Sequence, residues 1–360
     1  ELTDDKRTFI NAFGVIIRNA AREAIKQKEE GTLLTVLDVI EETHGFCAEK
    51  RVPGHNFIEF NETLQEILEQ TIDSGLDEVA RRGFWCVERI QMNHLANNVP
   101  AENEIWGLHV GSDTKKDIPV DHDKDLQWGY VSREYVGMLA RLTERAIEHK
   151  RGELAATGLR SLTGIASDVV RGQLGNLQKR DIVASCYYGA EILTLRCADE
   201  GLYPRVLTLS PFSSFAIDEA LERRADYSVI PLLRFSETLI QLASKDALIP
   251  FVLNELGTVG RGLVEKMDED KIFVEALLFV TKVFDRIREI LERGITEENK
   301  RVYLEVHTQI ESLQRWMADK KKTNEKVERE ISLALASFGK LEDLQKDYEG
   351  SIIRWPTVEG

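Results

Sequence analysis

A spacing of about 47 residues returns through the middle of this chain, and it narrows the architectures open to it more than any other feature. Leu159, Leu162, Ile165 and Val169 have apolar counterparts at Val206, Leu209, Phe212 and Ala216. A third set follows at Leu253, Leu256, Val259 and Leu263. Each quartet falls on one side of a helix, and each follows another helix-patterned segment. A helical hairpin cannot bury its apolar face alone, so the pattern predicts an all-α protein of stacked antiparallel helical hairpins, a solenoid-like array. The alternative is a non-repetitive α-helical bundle. The middle quartet is the weakest, because Pro211 lies inside it and proline is tolerated in the first turn of a helix but not in its interior. Ser210 and Pro211 fit a helix start better.

The same spacing recurs nearer the N-terminus, where Ala80, Phe84 and Val87 follow Leu33, Leu37 and Ile40. Apolar periodicity gives helices over 4–28, 33–43, 61–72 and 76–95, with Gly31 stopping the first and Ser74-Gly75 hinging the third onto the fourth. A loop is expected through Gly45, Pro53 and Gly54. Residues 98–131 break the pattern: they hold Pro100, Pro119, Gly107, Gly111 and Gly129 and a run of alternating charge. Helical patterning resumes over 134–150, 153–171, 181–199, 211–224, 230–244, 249–267, 272–293 and 297–318, with the Tyr227–Pro231 region as punctuation. A last charged helix over 325–348 carries Val327, Ile331, Leu335, Phe338 and Leu341 as one stripe, suited to capping the stack. The expected organisation is N-terminal hairpins over 1–97 and an irregular insertion loop over 98–131. A hairpin array over 132–320 and a capping helix with tail over 321–360 complete it.

Composition excludes some classes of function. A formal charge of −15 repels phosphate backbones at long range, and Lys320-Lys321-Lys322 is diluted by Asp319, Glu325 and Glu328, so no nucleic-acid partner is expected. No apolar run is long enough to cross a bilayer. The chain begins at Glu1, which leads to the expectation of a soluble region of a larger, membrane-anchored protein with its anchor upstream. Four scattered cysteines, Cys47, Cys86, Cys186 and Cys197, fit cytoplasmic usage as small core residues.

Candidate chemistry is sparse. Asp121, Asp123 and Asp125 alternate as the first ligands of a calcium loop do, since oxygen ligands on a turn suit a hard cation. Leu126 and Ser132 stand where that loop needs glycine and glutamate. His44, Cys47 and His55 cluster around the first long loop, with Cys86 and His94 on a later helix. They offer half of a zinc site, with core histidines and a buried thiol as the plainer reading. Glu41 and His44 match half of a di-iron motif that has no second copy. Gly257 to Gly262 is not G-x-G-x-x-G and follows a helix rather than a strand. No nucleophile elbow or phosphate loop occurs, and no cofactor is implied.

The function expected from these features is a non-enzymatic helical scaffold that binds a protein partner or a second copy of itself. Trp106 and Trp128, in the irregular stretch, are the candidate anchor residues. The alternative is a metal-dependent protein or enzyme using residues 121–125 or the His44, Cys47, His55 set.

Overall fold

The computed structural model describes residues 4–50, 58–97, 120–171, 176–202, 226–242, 262, 270–292, 328–337 and 339, and every regular element among them is a helix. The chain divides into two compact units, residues 1–212 and 213–360.

Unit 1 is a stack of antiparallel helical hairpins. Helices α1 (Asp4–Gln27) and α2 (Glu30–Glu49) form the first, α3 (Ile58–Ser74) and α4 (Asp77–Asn97) the second. Helices α5 (Val120–Glu148) and α6 (Gly152–Arg171) form the third, and α7 (Asn176–Asp199) packs against both. One row holds α1, α3, α5 and α7; the other holds α2, α4 and α6, and helices within a row pack side by side.

The predicted repeat is visible as a contact register. Partners across α1–α3 and α2–α4 lie 41–50 residues apart, as in Arg22–Glu66, Arg82–Asp38 and Cys86–Leu37. Across α3–α5 and α4–α6 the separation rises to 72–76, as in Arg141–Gln65 and Ser161–Glu88. The added length lies between α4 and α5, and these two helices pack against one another. The N-terminal echo has a packing basis: Leu33, Leu37, Ile40, Ala80, Phe84 and Val87 are all sealed from solvent. So are Leu159, Leu162, Ile165 and Val169; the two later quartets lie outside the described residues.

The turns repeat as closely as the faces. Lys28, Gly75, Lys150 and Gly201 each take a left-handed backbone, with φ of 55°, 73°, 56° and 75°. At each, the residue itself donates to the carbonyl three back and the next residue to the carbonyl five back. Lys28 N–H reaches Ile25 O at 3.1 Å and Glu29 N–H reaches Ala24 O at 2.9 Å; Lys150 to Ile147 and Arg151 to Ala146 follow suit. This is a Schellman cap, which satisfies the last carbonyls of a helix and reverses the chain. The first helix ends at Gln27, close to its expected end, on the cap formed at Lys28; Gly31, the expected stop, falls in the first turn of α2 instead.

Other expected boundaries shift. Helix α2 runs through Gly45 to Glu49, and α5 starts at Val120, so residues 120–131 of the expected irregular stretch are helical. Glycine and charge signalled loops, but the apolar repeat of each helix outweighs a single weak helix former.

Two glycines set the distance between hairpin arms. A Cβ on Gly83 would lie 1.7 Å from Leu68 Cδ2, and one on Gly158 would lie 2.0 Å from Thr143 Oγ1. The equivalent positions in the first hairpin are Ala21 and Val36, both buried, with the smaller residue now on the other arm. Between the first two hairpins the sum of sizes is kept while its division between arms is not.

Unit 2 contains α8 (Asp226–Leu242), α9 (Asp270–Glu292) and the helical residues 328–337. Its core holds Val229, Leu232, Phe235 and Leu239 from α8 with Phe273, Leu277, Val280 and Phe284 from α9. Lys282 pairs with Glu237 at 2.6 Å, and Ser337 bonds Asp285. Pro231, expected as punctuation, lies inside α8 as its sixth residue. That early in a helix the missing N–H forfeits a single intrahelical bond, and the apolar stripe carries the helix through.

Candidate functional sites

Two features of unit 1 exceed what a packed helical array needs. The first is a polar cluster built around His44 and His94, at the end of the hairpins away from their turns. The stripe that buries Val36, Leu37 and Ile40 continues along α2 to His44 and Cys47. On α4 the corresponding stripe runs through Val87, Ile90 and Gln91 to His94. Parallel packing of the two helices then places His44 Nδ1 3.2 Å from His94 Nε2, with both rings buried. One of these nitrogens must carry the hydrogen and the other accept it, so the two tautomers are coupled.

Rings enclose the pair. Phe60 of α3 meets His44 edge-on with centroids 6.0 Å apart, and Tyr135 of α5 lies 5.9 Å from His94. The Tyr135 hydroxyl donates to Asn61 Oδ1 at 3.2 Å, and the Asn61 amide donates to Glu134 Oε1 at 3.4 Å. Burial holds both imidazoles below their ordinary range, and for His44 the neighbouring ring adds to the effect. Burial also pushes the Tyr135 phenol and the Glu134 carboxyl up. At neutral pH the two rings and the phenol are therefore uncharged.

Of the sequence-derived metal candidates, His44 and His94 are brought together and the rest are not shown to join them. Cys86 donates to the Leu37 carbonyl at 3.7 Å, and His55 lies outside the described residues. Among the described residues no group of three His, Cys, Asp or Glu side chains could hold a metal ion. The Cys47 and Cys86 thiols are pushed up to about 11 and about 12 by burial, which disfavours the thiolate a metal or a nucleophile requires. Glu41 bonds Arg82 at 2.7 Å and Arg89 at 3.0 Å, tying α2 to α4. Asp121, Asp123 and Asp125 fall in the first turns of α5. The turn that was to gather them is helical backbone, on which alternate positions are about 200° apart around the axis. Trp128 also falls within α5, whereas Trp106 lies outside the described residues.

The second feature is an apolar stripe on the surface of α7. Tyr188, Ile192 and Leu195 recur at intervals of four and three residues and are 66%, 41% and 40% exposed. The opposite side of the same helix buries Val183, Cys186, Tyr187, Ala190 and Cys197. Most amphipathic helices offer one apolar face; α7 offers two. Sequence reading placed Cys186 and Cys197 of α7 in the core and missed the second face carried by Tyr188, Ile192 and Leu195. Asn61 and Tyr135 were missed as well. Their aromatic setting was detectable, since Phe13 and Phe60, whose rings meet at 6.0 Å, stand one repeat apart.

No family model and no curated protein matches this chain. Among solved structures it is similar to one described as "Circular tandem repeat protein with novel repeat topology and enhanced subunit contact surfaces", at 15% identity, TM-score 0.23, covering 96% of this chain and 99% of that one. A second, from "Computational Design of Self-Assembling Cyclic Protein Homooligomers", shows 11% identity, TM-score 0.25 and coverage of 90% and 100%. At such TM-scores neither likeness bears on what this chain does. Among the described residues no helix is long and apolar enough to cross a membrane.

Proposed function

We propose that this protein is a helical scaffold that binds a protein partner, receiving an amphipathic helix of that partner along the outer face of α7. The observation that carries the reading is the stripe Tyr188, Ile192 and Leu195, an apolar line on a helix whose other side already fills the core. Such a line, with turn-spaced anchors, matches how helices recognise helices, and a tyrosine near its start supplies the large, low-entropy contact typical of binding hot spots. Arg196, paired with Glu144 and Glu148 of α5 beside the stripe, gives it a polar margin. Trp106 and Trp128 are proposed as a second set of anchors. All four cysteines are free and buried thiols, which supports a reducing compartment such as the cytoplasm.

The test compares the native chain with Tyr188→Glu/Ile192→Glu and with Trp106→Ala/Trp128→Ala as baits in quantitative affinity capture. Circular dichroism and sedimentation velocity run alongside. The expected result is a partner retained by the native chain and lost from the α7 variant, with helix content unchanged. An identical captured set for the native chain and both variants defeats the proposal. A native dimer dissociated by the α7 substitutions would instead identify the partner as a second copy.

A further inference from the structure

We propose that the His44–His94 contact is a proton-responsive joint, closed at neutral pH and opened by acid, between the first two hairpins of unit 1. The rings come from equivalent helices of successive hairpins and lie 3.2 Å apart through Nδ1 and Nε2. That distance requires one hydrogen between two nitrogens. With both rings neutral, one donates and the other accepts. A first added proton goes to an outer nitrogen and leaves the shared hydrogen in place, but it puts a cation among buried rings. A second proton makes donors of both facing nitrogens, and the contact cannot survive it.

The surroundings hold the response at this pair. On α2, the Cys47 thiol stays neutral, and Glu41, one turn before His44, is engaged by Arg82 and Arg89. On α4, the Cys86 thiol stays neutral and Glu88 accepts from Ser161 of α6. From α3 come Phe60 and Asn61, and from α1 Phe13 and Arg18, the latter bonded to Glu62 and Thr63. From α5 come Tyr135, whose phenol is neutral, and Glu134, which accepts from Asn61. Because both imidazoles sit below their ordinary range in the folded chain, the unfolded or opened state binds more protons as the medium acidifies. The joint is therefore at full strength above about pH 6.5 and weakens as the pH falls toward 4. Glu134, held up by burial, works the other way and cannot produce the loss. The hairpin turns are closed by backbone bonds, and the histidine beside them, His149, is paired with Asp73 at 3.1 Å, so opening is expected at the far end.

Amide hydrogen exchange of the full chain at pH 7.5 and pH 5.0, corrected for intrinsic rates, tests this. The reporters are peptides from the C-terminal halves of α2 and α4, with α6 as internal reference. The expected result is a loss of protection of about tenfold or more at pH 5.0 in the α2 and α4 peptides relative to α6. His94→Gln, whose amide hydrogen-bonds without titrating, should diminish that difference, since only one of the two titrating rings remains. Equal protection at the two pH values, or an undiminished loss in His94→Gln, overturns the proposal. If the variant fails to fold, imidazole nitrogen shifts of the native chain decide instead. Both rings should stay neutral well below pH 6.5, and ordinary titration near 6.5 overturns the joint.

Discussion

The two ends of each hairpin in unit 1 are built on opposite rules. At the turn end, the left-handed residue and its two backbone bonds recur at Lys28, Gly75, Lys150 and Gly201. The arms also come closest in this half, at Gly83 and Gly158. At the far end, rings replace small residues: Phe13, Phe60 and Tyr135 occupy equivalent positions, with His44 and His94 facing them. Backbone chemistry repeats because every hairpin must reverse the chain in the same way. The far end has no such requirement, and there each hairpin carries its own side chains. Repetition marks what folding demands; departure from it marks where individual chemistry has been placed.

The largest test of that contrast lies in the close-packed half. Gly83→Val should destabilise unit 1 by about 3 kcal/mol, because its first added carbon would meet Leu68. Adding Leu68→Ala copies the Ala21 and Val36 arrangement of the first hairpin and should recover at least half of the loss. Recovery marks coupling between packed neighbours, since independent sites would sum. Exchange protection in α3 and α4 measures both. A double variant as damaged as the sum of its parts would mean that the hairpins are not interchangeable at this level.

At the far end the expected effect is smaller and specific to one hairpin. Tyr135→Phe removes the donor to Asn61 Oδ1 while keeping the ring against His94, leaving a buried amide short of a partner. A cost of about 1–2 kcal/mol follows. It should appear in the N-terminal half of α3 and leave the turn at Gly75 untouched. A loss spread evenly over unit 1 would dissolve the distinction between the ends.

The same contrast explains what was legible in the sequence. Leu33, Leu37 and Ile40 announce the repeat because burial demands apolar residues at fixed intervals, and periodicity reports burial directly. The Ser74-Gly75 hinge is legible because glycine marks the left-handed position, whereas at the first turn Lys28 takes that backbone and Gly31, the expected stop, does not. The start of α5 was misread for a related reason, since charge and glycine over 120–131 suggested a loop where the helix continues. The histidines were named residue by residue, and their plainer reading as core residues agrees with their burial, but their contact with one another was not legible. Which of His44, Cys47, His55, Cys86 and His94 actually meet depends on parallel packing of α2 and α4, a register that emerges only when hairpins stack. The α7 stripe was hidden for the opposite reason: a helix apolar on two sides reads as more core, and exposure is a property of its neighbours.

The turn end yields the smallest effect, and its sign is opposite. Lys28 and Lys150 hold φ of 55° and 56°, a region that crowds their Cβ against the following carbonyl and costs about 1 kcal/mol relative to glycine. Gly75, one repeat along, occupies the same position without that strain. If the caps are interchangeable, Lys28→Gly and Lys150→Gly should each raise stability by somewhat under 1 kcal/mol, because glycine is also more flexible when unfolded. The gains should add, since the two turns belong to different hairpins with another between them. Gly75→Lys should cost more than the other two gain, because its Cβ position already lies 2.6 Å from Arg151 Nη2. Thermal melts of the three variants rank them: two upward shifts and one larger downward shift uphold equivalence of the turns. A neutral or destabilising Lys28→Gly would show instead that the lysine side chain contributes something at this end that the backbone pattern does not reveal.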